Sequence, residues 1–275
     1  MLKIKPEEIK VLSNYIYNVS GISIDASKAY LLETRFGKLL EEEGCRSYVE
    51  FYRKAKSDTH RTLERKIIDA ITTNETLFFR DTNPFELLRH KIIPELIDNR
   101  SGRGITNLKI WSSACSTGQE LYSIAIILKE LLSRNRTHKI SLLGTDLSDA
   151  AVAQASAGTY NKFEIERGLP REKLHHYFTP AGGNWKIKDE IRAMATFQHM
   201  NLMQPFVGLG KFDIIFCRNV AIYFTLQDRK KLFEKIAHAL LPDGYLLIGS
   251  TESLTGICPQ FVPKRHLRSI YYQLQ

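Results

Sequence analysis

Beyond residue 107 the sequence alternates between short apolar runs and longer stretches of helical periodicity, and few folds accept that rhythm. Leu108–Trp111, Ile140–Gly144, Phe212–Cys217 and Tyr245–Ile248 read as strands, and Gly118 to about Ser133, Ser148–Ala157 and Leu226–Leu241 read as helices. Strands and helices in alternation predict a parallel sheet covered on both faces, an α/β fold. Ligands of such sheets bind just past the carboxyl ends of the strands. The loops after Trp111, Gly144 and Cys217 are therefore where a site is expected. Ser269 to Leu274 fits one more strand, at the sheet edge or inserted antiparallel.

Residues 1–73 read as all-helical. Pro6-Glu-Glu opens a helix that Gly21 can close, with proline in the first turn and glycine past the end. Ser27 to Glu43 places Leu31, Leu32, Phe36, Leu39 and Leu40 on one face, and Gly44 stops it. Ser47 to Lys56 and Thr59 to Ile71 make two more helices. Residues 74–107 read as a linker and helix. The α/β rhythm breaks between about 160 and 200. There Leu174–Pro180 and Trp185–Lys188 flank the turn Ala181-Gly182-Gly183-Asn184, and Ala193–His199 adds a strand. A small inserted antiparallel unit is expected.

Composition narrows the function classes. No apolar run approaches the ~20 residues of a membrane span, and the first residues lack the apolar core of a signal peptide. A cytoplasmic protein without membrane insertion is expected. Cys45, Cys115, Cys217 and Cys258 are far apart in sequence, and the histidines show no HExxH spacing, so no metal site is expected. Net charge is +9, with 13 Lys and Arg against 11 Asp and Glu in residues 1–73 and 26 against 19 beyond. The excess is spread along the chain, as on a solvated basic surface that could equally meet an acidic protein, and no nucleic-acid partner is expected.

Three segments carry chemistry: Asn74-Glu-Thr-Leu-Phe-Phe-Arg80, Lys109-Ile-Trp-Ser-Ser-Ala-Cys-Ser-Thr-Gly-Gln-Glu120, and Asp213-Ile-Ile-Phe-Cys-Arg-Asn-Val-Ala-Ile-Tyr223. The loop Ser112–Gly118 holds one glycine and fails the GxGxxG pattern. Its small residues still let a ligand approach the backbone, and the helix that follows offers N–H groups. Glu120 could answer the helix dipole. Asp146, 28 residues beyond Gly118, could accept ribose hydroxyls or cap the helix near Ser148. Alone, Arg80 reads as a surface ion pair, Tyr223 as a core aromatic and Asn201-Leu202 as a strand-end turn.

Together and in this order, the segments resemble the chemotaxis receptor glutamate O-methyltransferases of the CheR type, which use S-adenosylmethionine. The resemblance runs from about Pro6 to Ser253. It implies a Rossmann-like S-adenosylmethionine-dependent methyltransferase domain over residues 108–275 with an inserted antiparallel β-subdomain at about 160–200. A small all-α domain (1–73) precedes it, and residues 74–107 contribute to the cofactor site. The resemblance places Asn74, Thr76, Arg80, Glu120, Asp146, Asn201, Leu202, Arg218 and Asn219 at the cofactor. Arg80 would also steer the acceptor carboxylate, and Tyr223 would stand near the sulfonium, where an aromatic face favours a cation.

The implied partner is the cytoplasmic helical domain of a chemotaxis receptor, met by Lys28, Arg35 and Lys38 on one side of the second helix. In some members the inserted subdomain holds a receptor C-terminal peptide by strand addition, and here it reads equally as that or as a structural insertion. Two departures from the family stand out: Ala221 replaces a larger aliphatic residue, and the second helix ends in Glu41-Glu42-Glu43. The implied reaction gives glutamyl methyl esters and S-adenosylhomocysteine. A glutamate is already ionised at neutral pH, its pKa being near 4.3, so no base is required. Other readings are a non-catalytic cofactor-binding docking module and a methyltransferase of another acceptor such as nucleic acid. Against the latter, Arg218-Asn219-Val220-Ala221 lacks the proline of the adenine-methylating Asp-Pro-Pro-Tyr pattern, and Cys217 follows Phe216, not a proline.

Overall fold

The computed structural model describes residues 2–101, 107–132 and 139–275. The chain begins with four helices: α1 (Pro6–Ser20), α2 (Ala29–Glu42), α3 (Tyr48–Ser57) and α4 (Thr62–Ile71). Pro6 opens α1, and Gly21 ends it at φ +78°, donating its N–H to the Tyr17 carbonyl at 2.7 Å. Ser47 caps α3 by accepting from Glu50 N at 3.1 Å. Leu12, Ile16, Leu32, Phe36, Phe51 and Ile67 form a fully buried core of their own. Glu8 is buried beside it, and its carboxylate accepts the Tyr48 and Val49 N–H groups at the start of α3.

A long helical stretch follows, in which α5 (Asn83–Leu87) passes through a π-helical turn (Leu88–Ile92) into α6 (Ile93–Ser101). The α/β part then runs β1 (Asn107–Ser113), α7 (Gln119–Leu132), β2 (Lys139–Asp146) and α8 (Asp149–Ala157). The interval that follows contains β3 (Thr159–Tyr160), α9 (Lys162–Glu166), α10 (Arg171–Tyr177), β4 (Phe178–Ala181), β5 (Asn184–Ile187) and α11 (Asp189–Arg192). The chain closes with β6 (Ala195–His199), β7 (Phe212–Cys217), α12 (Leu226–Ala239), β8 (Leu240–Ile248), β9 (Phe261–His266) and β10 (Ser269–Leu274).

Seven strands form one sheet in the order β6-β2-β1-β7-β8-β10-β9. The first five are parallel, and β10 pairs antiparallel with both β8 and β9. All six residues of β7 are buried, as a central parallel strand requires. Strand order reverses between β1 and β7, so the crevice outside their carboxyl ends is the topological switch point.

The insertion differs from expectation in two respects. Its sheet is only β3-β5-β4, because Leu174–Tyr177 belongs to α10. Ala195–His199, expected as part of the insertion, pairs parallel with β2 at the edge of the main sheet. There the Phe197 ring covers Gly144, where an added Cβ would lie 2.6 Å from it. The final strand is inserted antiparallel, and the outer strand β9 was not anticipated.

At the far end of the sheet from the crevice, Arg100 and Asp213 form a buried ion pair. Arg100 also reaches the half-exposed Asp243 at 3.0 Å, and Asp213 accepts the Lys109 N–H. Asp213→Ala should leave a buried guanidinium short of its inner partner and cost about 3–5 kcal/mol. Asp243→Ala should cost roughly 1 kcal/mol or less. Urea unfolding of both variants checks the difference.

Candidate active site

The loop after β1 is held in an unusual backbone conformation. Ala114, Ser116 and Gly118 have φ of +57°, +50° and +93°. Among the described residues seven non-glycine positions have positive φ, and five of them (Phe79, Asp81, Ala114, Ser116, Asn219) lie in or beside the three sequence motifs. Each such position costs on the order of 1–3 kcal/mol and persists only where its surroundings enforce it. Here the enforcement is visible. Cys115 N donates to Thr145 O at 2.9 Å, Ser116 N to Asp146 Oδ2 at 2.8 Å, and Ser116 Oγ to Asn74 O at 3.0 Å. Tyr160 from β3 reaches Thr117 O at 2.8 Å, which ties the insertion to the same loop.

The segment Asn74–Asp81 lies across α7 and the β1 loop. Phe78 is fully buried and packs edge-on against Tyr160 and Phe178, with centroids 5.0 and 5.5 Å away. Phe79 N donates to Ser123 Oγ at 3.0 Å. Arg218, just past β7, fastens the segment from below. Its Nη1 meets Glu120 Oε2 at 2.7 Å, and its Nη2 meets Asp81 Oδ2 at 2.8 Å and Arg80 O at 2.9 Å. Ser112 Oγ donates to the other Glu120 oxygen at 2.7 Å.

These loops enclose a cavity of about 920 Å³, part of it open to solvent, at the switch point. Asn74, Thr76, Arg80, Glu120, Asp146, Asn201, Leu202, Arg218, Asn219 and Tyr223 all line it. Asp146 is buried. Its oxygens accept from Ser116 N and, at 3.0 Å, Ser148 N, and burial holds its carboxyl above the ordinary value of 3.8 despite those bonds. Arg80 spends one N–H on Glu75 O at 3.0 Å. A 3-10 turn, Ala221–Tyr223, brings Tyr223 to the rim.

The family description "CheR methyltransferase, SAM binding domain" matches residues 74–266, and "CheR methyltransferase, all-alpha domain" matches residues 7–72. The chain belongs to the CheR methyltransferase family. It is 39% identical over 263 residues to the chemotaxis protein methyltransferase Cher2 of Pseudomonas putida, covering 94% of each chain. It is 38% identical over 277 residues to a chemotaxis protein methyltransferase of Vibrio parahaemolyticus, covering 100% of this chain and 99% of that one. A chemotaxis protein methyltransferase of Borreliella burgdorferi is 34% identical over 258 residues, covering 93% and 91%. The protein is thus an S-adenosylmethionine-dependent methyltransferase.

Within this CheR site the motif residues divide by what their side chains are free to do. Asp146, Glu120 and Arg80 keep polar capacity at the cavity, whereas Arg218 spends both terminal nitrogens on Glu120, Asp81 and Arg80 O and has only its buried Nε without a partner. Asn201 is committed as well: its Nδ2 donates to Val19 O at 2.9 Å and its Oδ1 accepts Met203 N at 2.8 Å. Lys28, Arg35 and Lys38 do not line the cavity. Arg35, expected on an exposed face beside the two lysines, instead donates to the carbonyls of Ala70, Ile71 and Thr72 and to Thr73 Oγ1. The free carbonyls at the end of α4 attract it. Lys28 lies 3.6 Å from Asp25 and Lys38 3.4 Å from Glu42, both with exposed ammonium groups.

Two groups of residues escaped the sequence reading. Ser20, Ile22, Ile71, Thr72 and Thr73 make the helical domain a wall of the cavity. Glu252 holds Asn219 in its left-handed conformation, accepting from Asn219 N at 2.8 Å and from Gly249 N at 2.7 Å. An acid placed after a strand gives no sequence signal of this kind. The domains also meet at Asp69, which accepts from Ser148 Oγ at 2.7 Å, and Ser148 N in turn donates to Asp146. Asp69→Ala should weaken binding of S-adenosylhomocysteine by about the worth of one such bond, roughly threefold to tenfold, with far-ultraviolet dichroism unchanged. Titration calorimetry checks it.

Proposed function

We propose that the protein methylates glutamate side chains of chemotaxis receptors, giving glutamyl methyl esters and S-adenosylhomocysteine. The observation that carries this reading is the makeup of the cavity. Among the described residues no histidine lines it, and its two deepest carboxylates, Glu120 and Asp146, are held in hydrogen bonds. A site so built has no obvious base to offer, which suits an acceptor that arrives ionised.

S-adenosylmethionine, when bound, supplies a methyl group on a sulfonium that departs as a neutral thioether. The residues fit it. The Asp146 carboxylate accepts the backbone N–H groups of Ser116 and Ser148 and keeps a lone pair for a ribose hydroxyl. Glu120 offers a carboxylate to the cationic end, and Arg218 acts on it only by holding it in place. Arg80 offers guanidinium N–H groups to a carboxylate, and Tyr223 presents an aromatic ring beside the cation. Asn74 and Thr76 cover the cofactor from the linking segment, while Asn201, Leu202 and Asn219 wall the adenine side. The rest is orientation, which can contribute roughly 7–11 kcal/mol to a two-reactant step.

Lys28 and Lys38 face an acidic receptor helix in this reading. The outer strand β4 offers its edge to a receptor C-terminal peptide, which would raise the local concentration of acceptor.

Receptor cytoplasmic fragment incubated with methyl-labelled S-adenosylmethionine should take up label that mild alkali releases as volatile methanol. Label that resists alkali would replace the ester reading with another acceptor. Asp146→Ala should weaken S-adenosylhomocysteine binding at least about tenfold, the worth of a charge-assisted hydrogen bond. In the unaltered protein the ionised carboxylate is the binding form. Affinity should therefore be full above the raised Asp146 pKa and fall on acidification while the pH is still above 3.8. Calorimetry across pH should show that slope, and Asp146→Ala should flatten it.

A further inference from the structure

Arg167 stands at the end of α9, outside every motif considered so far. Its Nη2 donates to Glu75 Oε1 at 2.7 Å, and its guanidinium lies over the Phe163 ring, 5.1 Å from the centroid. Glu75 lines the cavity and its side chain is 63% exposed, so this ion pair sits at the mouth, not in the interior. Arg80 touches the same residue through its carbonyl. Hydrogen bonding and charge from Arg167, with a smaller share from Arg80, hold the Glu75 carboxyl below its ordinary value.

The position of Arg167 is rigidly set. The next residue, Gly168, has φ +154° and packs so closely that an added Cβ would lie 2.3 Å from Phe78 O. Phe78 is two residues before Arg80. Two guanidinium groups are thus braced by one segment at the entrance, and the carboxylate at their disposal belongs to a glutamate of the chain itself.

We propose that Arg167 binds an acceptor-side carboxylate of the receptor and that Glu75 is its internal stand-in, displaced when the receptor docks. The inference rests on the glutamate-methylating reading. Exchanging one glutamate for another at Arg167 replaces like with like, so displacement costs little, whereas a neutral side chain of the same length has no charge to trade. An Arg placed over an aromatic ring and already paired to a carboxylate loses less freedom on binding than a mobile one. Placement over Phe163 therefore leaves its remaining N–H groups prepared for the incoming oxygens.

The test uses the full chain with S-adenosylhomocysteine present and measures binding of receptor cytoplasmic fragment by calorimetry, alongside the receptor KM in the methanol-release assay. Arg167→Ala should weaken receptor binding and raise KM about tenfold, equivalent to about 1.4 kcal/mol, with affinity for S-adenosylhomocysteine unchanged. Glu75→Gln, which removes the competitor, should tighten receptor binding severalfold. The double variant should behave as Arg167→Ala does. If Glu75→Gln weakens receptor binding as much as Arg167→Ala, the pair is a structural brace and the proposal fails. It fails equally if neither change alters receptor binding. Absence of methanol release by the unaltered protein would count against the methylation reading alone, because the binding comparison does not require turnover.

Discussion

One guanidinium holds the three motif segments in register. Arg218 comes from the loop after β7, Glu120 from the first turn of α7, and Asp81 from the end of the linking segment, yet all three meet within hydrogen-bond distance. The Arg218 side chain is 2% exposed. Removing such a charge from water costs several kcal/mol, repaid only when carboxylates and other acceptors surround it closely. Two carboxylates and the Arg80 carbonyl meet its two terminal nitrogens, Nε is buried without a hydrogen-bond partner among the described residues, and the guanidinium lies 5.8 Å from the Phe85 ring centroid. The cluster keeps one negative charge in excess beside a cavity suited to a cationic ligand. Its arrangement sets the register and fastens Arg80 O and the Asp81 side chain beside the left-handed backbone at Asp81.

Much of this was legible because strands and helices follow periodicity. The apolar runs at Leu108, Ile140, Phe212 and Tyr245 became β1, β2, β7 and β8, and Pro6 and Gly21 bound α1 as their backbone preferences dictate. Ala195–His199 was seen as a strand but not as part of the main sheet, because a half-exposed edge strand carries the same alternation wherever it pairs. Leu174–Tyr177 lacks a pattern that separates a short helix from a strand. The motif residues do converge on one cavity. Which of them are free and which are fastened could not be read from residue type: Asn201 and Arg218 look like ligand-binding side chains and are spent on the protein's own backbone and acids. Arg35 was misplaced for a related reason, since helical spacing fixes a face but not what lies opposite it.

The helical domain is more than a platform for a partner. It closes one side of the cavity, and two polar seams hold it there. On one side Asp69 meets Ser148, and on the other Tyr17 Oη donates to Asp228 at 2.8 Å while Asn201 reaches Val19 O. Met203 fills the space over Gly21, where a Cβ would lie 2.4 Å from its Cγ. A small helical bundle and an α/β sheet thus wall one cavity between them.

The strand order carries a consequence for how the chain is made. β10 leaves the ribosome after β8 and β9, yet it lies between them in the sheet. Until residue 274 has emerged, β8 has no partner on its outer side and β9 has none at all. A nascent chain held at that stage exposes the unpaired flank of β8, the kind of edge that recruits other strands. The sheet is therefore complete only once β10 has been added, and pauses or errors before that point fall on the step that seals it.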